Sequence, residues 1–200
     1  MLKFIAALLI LAGSLFPQTA DIKIKELQDK FQSFKDFQAD FKQVSDNPNF
    51  NISQSLSGTF YYKNGNKFLI DLSNIKIVSN GNTIWNYDGR QNRTVINNLS
   101  DNPDITSLEK IVFDYPEKCE ISVDDDKPEN IIFVPCSNEL NFDRAVISLN
   151  KENLISKIKI IDISKAEIIF EFSNYKLNGN IPDKFFEFNI PGDSKVIDFR

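Results

Sequence analysis

The sequence predicts a mainly β protein of the α+β class: a curled antiparallel open (unclosed) β-barrel with a helical lid over its concave face. Three observations carry that prediction. Asn64-Gly65, Asn80-Gly81 and Asp88-Gly89 each separate two β-rich runs, and such dipeptides favour two-residue hairpin turns. Connections this short leave no room for crossover helices, so the pairing in this region is antiparallel. Helical periodicity is confined to two short stretches, too little to cover both faces of about ten strands, and a sheet of that size curls, splits or closes.

From the start of the mature region, Ile24, Leu27, Phe31 and Phe34 fall three and four residues apart, one stripe of an amphipathic helix over 22–34. Phe37, Ala39 and Phe41 then alternate with Gln38, Asp40 and Lys42, the period of a half-buried strand. Strand-like runs follow at 57–63, 67–72, 75–79, 82–87 and 90–96. The alternation breaks at Asn97. Asp101-Asn102-Pro103 supplies a capping residue and a proline for a first helical turn, after which Ile105, Leu108 and Val112 share one helical face up to about Phe113. This second helix has only the sheet to pack on. A cysteine-flanked hairpin comes next, then strands near 145–149, 154–162 and 166–175, and one more at 185–188. No linker, repeat or low-complexity segment interrupts residues 21–200, which read as one domain.

Residues 1–20 have a different character. Lys3 precedes an apolar run from Phe4 to Ala12, and Gly13 to Ala20 are mostly small or polar. That is the layout of a secretory signal peptide, cut after Ala20 or near Ala12-Gly13-Ser14. A spanning helix needs roughly 20 apolar residues, and Pro17-Gln18-Thr19 arrives too early for one.

Export places the two cysteines in an oxidising compartment. Cys119 and Cys136 flank the apolar runs 120–123 and 131–134 around the turn-forming Asp124–Asn130. In a regular hairpin register that pairs Val123 with Ile132, the two cysteines oppose each other. A Cys119–Cys136 disulfide is therefore expected. No Cys-x-x-Cys redox spacing is present.

Composition excludes several function classes. The 200 residues carry 42% hydrophobic and 26% charged side chains, a balance that supports a buried core rather than disorder. A formal charge of −5 argues against general binding to nucleic acid. The absence of histidine removes Ser-His-Asp and Cys-His catalysis and the commonest zinc ligand. Asp124-Asp125-Asp126 lacks the spacing of a calcium loop and reads as a solvated hairpin tip. No catalytic residues, metal ligands or cofactor are assigned. Eighteen phenylalanines against one tryptophan and five tyrosines suit either the lining of an apolar cavity or an ordinary filled core, and composition alone does not separate the two. Trp85 and Tyr87 alternate on one strand and serve either as a stacking surface or as core.

Several segments resemble a known family. Phe34 to Gln43 and Ser57 to Lys63 look like the beginning of the LolA family of periplasmic lipoprotein carriers. Val78-Ser79-Asn80-Gly81-Asn82-Thr83-Ile84-Trp85-Asn86-Tyr87 is similar to its most specific stretch, and 154–162, 168–178 and 185–198 are similar to its C-terminal third. The resemblance covers nearly all of the mature chain, in order.

The resemblance implies a soluble, non-enzymatic monomer in the periplasm that binds the acyl chains of lipoproteins. Its partners would be acylated lipoproteins, an inner-membrane lipoprotein-releasing ABC transporter and an outer-membrane lipoprotein acceptor. A lipid binder or lipoprotein sensor of the same fold is the alternative. On this reading Leu27, Phe31, Phe34, Ile105, Leu108 and Val112 form the movable cover, and Tyr61, Phe68, Ile70, Trp85, Phe170 and Phe172 the sheet-side wall. One departure stands out. The family usually carries Lys-Arg-Pro after the second strand, with an arginine that holds the lid, where this chain has Lys63-Asn64-Gly65; a second common arginine position is Leu69 here. Neither residue supplies a guanidinium fork.

Overall fold

Alternating apolar residues and tight turns build the sheet, and the turns decide which face each residue meets. The computed structural model describes residues 20–47, 52–101 and 107–200. Helix α1 (Ala20–Gln32) leads into β1 (Asp36–Asn47), β2 (Ile52–Lys63), β3 (Lys67–Leu72), β4 (Ile75–Asn80), β5 (Thr83–Asp88) and β6 (Arg93–Asn98). A cover segment, 108–117, precedes β7 (Cys119–Val123), β8 (Asn130–Pro135), β9 (Phe142–Leu149), β10 (Ile155–Asp162) and β11 (Glu167–Leu177). The last strand is β12 (Lys195–Asp198). The export-signal reading falls on residues 1–19, outside the described residues, apart from Ala20.

All twelve strands join one sheet in the order β12-β6-β5-β4-β3-β2-β1-β11-β10-β9-β8-β7. Neighbours pair antiparallel except β12, which runs parallel to β6. That exception is possible because the long stretch from Leu177 to Lys195 gives the chain room to return in the same direction. The ends of the order, β12 and β7, do not pair with each other, so the barrel is open among the described residues. One apolar cluster joins α1, the cover and residues from β1 to β3 and β7 to β11. α1 reaches across to β7 and β8, which shows how far the sheet curls around it.

Each expected turn is present, but two differ in length. Asn64-Gly65-Asn66 forms a three-residue loop, with Lys63 paired to Lys67, and Gly65 (φ 88°) and Asn66 (φ 56°) both left-handed. Gly81-Asn82 is a two-residue turn, while four residues separate Asp88 from its partner Arg93. Gly58 is required for a different reason. A Cβ there would lie 1.8 Å from the Asp71 carbonyl oxygen, so only glycine lets β2 pass this close to β3. Its partner on β1 is Phe41, whose ring therefore meets no side chain directly opposite on β2.

Two expectations are corrected. The hairpin β7–β8 pairs Cys119 with Pro135, not Cys136, and the Cys136 N–H donates to the Lys118 carbonyl at 2.9 Å. A slip of one residue turns a side chain to the other face. Cys119 is buried and Cys136 exposed, both as free thiols, so the expected disulfide is absent. Burial, and then the nearby Cys136 thiol, push the Cys119 thiol up to about 11. Residues Phe185–Phe188 are not a strand either. Asp183–Phe186 forms a 3-10 turn, with the Phe185 N–H donating to the Pro182 carbonyl at 3.0 Å.

Candidate functional site

The concave face is paved with aromatic rings because the strands that cross its centre alternate in phase. On β1, Phe37 and Phe41 point inward; on β2, Phe60 and Tyr62; on β3, Phe68 and Ile70; on β11, Phe170 and Phe172. The rings contact one another across strands. Phe172 lies 5.5 Å from Phe41 and 5.6 Å from Phe60, and Phe60 stacks on Phe68 at 6.3 Å. Such separations suit offset or edge-to-face aromatic pairs.

Two elements roof this face. α1 presents Leu27 and Phe31, with Phe34 just beyond its end; Phe31 sits 5.0 Å from Tyr62 and Phe34 5.4 Å from Phe37. The cover widens into a π-helical turn at Lys110–Asp114 and tightens into a 3-10 turn at Tyr115–Glu117. It directs Leu108, Ile111 and Val112 downward, all buried. Between roof and floor lies a cavity of about 40 Å³, lined by Phe41, Phe60, Ile70, Leu108, Ile111, Ile158, Phe170 and Phe172. A second, of about 10 Å³, lies under α1 beside Leu27, Phe31, Phe34 and Tyr175. Water in the liquid occupies ~30 Å³ per molecule, so neither space holds a fatty chain as it stands.

Polar groups in the apolar space occur where the roof is fastened. The Glu109 Oε1 accepts hydrogen bonds from the Gly65 N–H (2.9 Å), the Asn66 N–H (3.0 Å) and the Tyr62 hydroxyl. The Ser107 hydroxyl bonds to the Asn66 side-chain oxygen. On the other side, the Gln28 amide donates to the Val112 carbonyl at 3.0 Å. Burial first, then the bond to Glu109 and its negative charge, raise the ionisation of Tyr62 far above the ordinary tyrosine range. The hydroxyl stays protonated and remains a donor.

Of the residues singled out from sequence, the structure brings Leu27, Phe31, Phe34, Phe68, Ile70, Leu108, Val112, Phe170 and Phe172 into the space between sheet and roof. Ile105 lies outside the described residues. Tyr61 and Trp85 are displaced: they belong to a second cluster, with Leu69, Val78 and Phe186, on the opposite face. The three-residue turn explains this. It pairs Tyr61 with Leu69 and Tyr62 with Phe68, so Tyr61 shares a face with Leu69 while Phe68 looks the other way. The pairing continues through Val78 to Trp85, one transverse row on the convex side. There the segment around Phe186 seals it. Tyr61 meets Phe185 at 4.8 Å, and Asp183 takes Lys63 at 2.6 Å and Lys67 at 2.8 Å. Those two lysines hold the Asp183 carboxyl down at about 2.

Sequence reasoning passed over Phe41, Phe60, Ile111, Ile158 and Glu109. Phe41 was legible, being in phase with Phe37. Ile158 was legible too, since Lys157 and Lys159 beside it pair outward with Glu171 and Glu167. Nothing in the sequence marks Glu109. No group of three or more His, Cys, Asp or Glu side chains among the described residues is arranged to hold a metal. No helix among them is long and apolar enough to cross a membrane.

Residues 32–189 match the model for "Outer membrane lipoprotein carrier protein LolA". The chain belongs to the LolA family. Its curated relatives include the outer-membrane lipoprotein carrier protein of Francisella tularensis subsp. novicida, 25% identical over 183 residues, covering 86% of each chain. The protein of that name from Actinobacillus pleuropneumoniae serotype 3 is 21% identical over 203 residues, covering 97% of this chain and 91% of the relative. Among solved structures, an uncharacterized conserved protein from Thermus thermophilus superposes with a TM-score of 0.54 at 14% identity, over 87% of this chain and 98% of that one. That last likeness concerns the fold alone. At Asn64, where the resemblance leads one to expect an arginine, the N–H donates to the Lys35 carbonyl at 3.0 Å and the side-chain oxygen lies 3.5 Å from the Tyr62 hydroxyl.

Proposed function

We propose that the chain carries lipoproteins through the periplasm by burying their acyl chains between the phenylalanine floor and the roof. It takes them from an inner-membrane ABC transporter and passes them to an outer-membrane acceptor, without catalysing a reaction, and acts as a monomer. The export-type segment Met1–Ala20 and the outer-membrane lipoprotein carriers among its relatives support the location and the cargo. Physical need supports the mechanism. Each buried CH₂ is worth about 0.8 kcal/mol, so an acylated protein does not leave one membrane for another without an apolar shelter. The observation that carries the reading is the unbroken aromatic floor beneath a roof that is a separate piece of chain.

A photo-reactive phenylalanine analogue placed at Ile70, which faces the cavity, tests it. The purified protein is mixed with a triacylated lipoprotein, and separately with the same lipoprotein lacking acyl chains. Cross-linking to the acylated form alone is expected; equal yields, or none with either, refute the proposal. Free lipid as the ligand extracted from native protein, with no acylated protein, favours a lipid-binding role on the same fold.

A further inference from the structure

We infer that Glu109 is the latch of the cover, and that the polarity of the fastening is set by the chain's own turn: the cover supplies one carboxylate and the β2–β3 loop supplies the donors. The inference rests on the carrier reading for its purpose, though not for its geometry. A single oxygen, Oε1, gathers the Gly65 and Asn66 N–H groups at 2.9 and 3.0 Å together with the Tyr62 hydroxyl. Two consecutive N–H groups converge on one acceptor because Gly65 and Asn66 both lie in the left-handed region. The extra residue in this loop is therefore what makes the receptor for the carboxylate. Tyr62 is 2% exposed, and a hydroxyl so placed needs a partner. With the cover lifted, Glu109 leaves and Tyr62 keeps only the long contact, 3.5 Å, to the Asn64 side-chain oxygen.

The rest of the cover is held differently. Apart from one hydrogen bond from the Gln28 amide to the Val112 carbonyl, Leu108, Ile111 and Val112 make apolar contacts, which have no direction and which an incoming hydrocarbon chain replaces. An acyl chain offers nothing to replace the Glu109 bonds. These bonds to an ionised group are stronger than neutral ones, and all of them break when one side chain withdraws. The latch therefore sets the fraction of molecules open to cargo, and through it the apparent affinity. Ser107, bonded to Asn66, adds a neighbouring tie at the same turn.

Hydrogen exchange of the cover amides, residues 107–117, in the full-length mature protein reads the latch without cargo. Tyr62→Phe keeps the ring packing and removes one donor, and Glu109→Ala removes the acceptor. The first is expected to raise exchange of the cover about tenfold and the second more, with amides of β10 and β11 unchanged. Binding of a fluorescent fatty acid is expected to tighten by the same factors, because the closed fraction no longer dilutes the competent state. Unchanged exchange in both variants overturns the inference. So does a uniform rise across the whole sheet, which would make Glu109 a general stabiliser. Faster cover exchange with no change in fatty acid binding keeps the latch and refutes the carrier reading instead.

Discussion

Truncating Phe172 to alanine separates a floor that is truly roofed from one that is open to water. Phe172 is 6% exposed, pairs with Phe41 across β1 and β11, and lines the 40 Å³ cavity. A core Phe→Ala change costs about 3–5 kcal/mol. The upper half of that range is expected here for two reasons. Both neighbouring rings belong to strands fixed by long ladders, so the site collapses poorly, and the new void merges with one already present. Against a urea slope of ~2 kcal/mol/M, a loss of about 4 kcal/mol lowers the unfolding midpoint by roughly 2 M. Adding a fatty acid should then restore stability, and a ligand at a hundred times its dissociation constant contributes about 2.7 kcal/mol. Chemical denaturation followed by circular dichroism, with and without fatty acid, measures both numbers. A loss below ~1 kcal/mol would show that the ring is not roofed in solution, since an exposed ring leaves no cavity when removed.

Two further outcomes follow from charge and thiol placement. The Asp183 carboxyl, lowered to about 2 by hydrogen bonds from Lys63 and then Lys67, contributes stability above its unfolded value near ~3.9 that is lost as pH falls toward 2. Asp183→Asn should therefore flatten the acid limb of a stability profile taken between pH 2 and 5, and a limb identical to that of the parent protein would refute the assignment. In the reduced native protein, iodoacetamide should modify exposed Cys136 well before Cys119, whose thiol is buried and raised to about 11; mass spectrometry of peptides after short labelling reads the order, and equal rates would contradict the register of β7 and β8.

Two misreadings of the chain, at Tyr61 with Trp85 and at the cysteines, share one physical origin. A meander was legible because Asn-Gly and Asp-Gly favour tight turns, but the same dipeptides do not say how many residues the loop spends; after Asp88-Gly89 it is Asn92, not Gly89, that takes positive φ. One extra residue at 64–66 sends Tyr61 and the row through Trp85 to the convex face. A slip of one at Cys119 separates the two thiols. Side-chain direction in a strand has a period of two, so every such slip is a complete reversal. Phe185–Phe188 failed for another reason: its apolar-polar alternation suits a strand, but its Phe186 plugs the convex cluster, and the Asp183–Lys63–Lys67 pairs anchor it as a turn. Glu109 left no trace in the sequence, because its role exists only once a loop 43 residues away in the chain offers its backbone to it.

A roof packed down on the floor suits a carrier that travels without cargo. A permanent apolar hollow would destabilise the fold by about 24 cal/mol for every Å³ left empty, and a hollow of acyl-chain size would consume much of the stability of a domain this small. Bringing Leu108 and Ile111 over Phe41, Phe60, Phe170 and Phe172, with about 40 Å³ left between them, keeps that penalty small. Cargo must then displace the roof rather than enter a waiting pocket. One long acyl chain gains on the order of 10 kcal/mol from burial at about 0.8 kcal/mol per CH₂, and from this must be subtracted the apolar contacts and latch bonds lost on opening. The difference sets the affinity for cargo. A roof fastened only by apolar packing would open as the cargo entered; on the inference above, a carboxylate on backbone donors subtracts a fixed amount whatever the length of the chain, so cargo with longer or more numerous acyl chains should still bind more tightly.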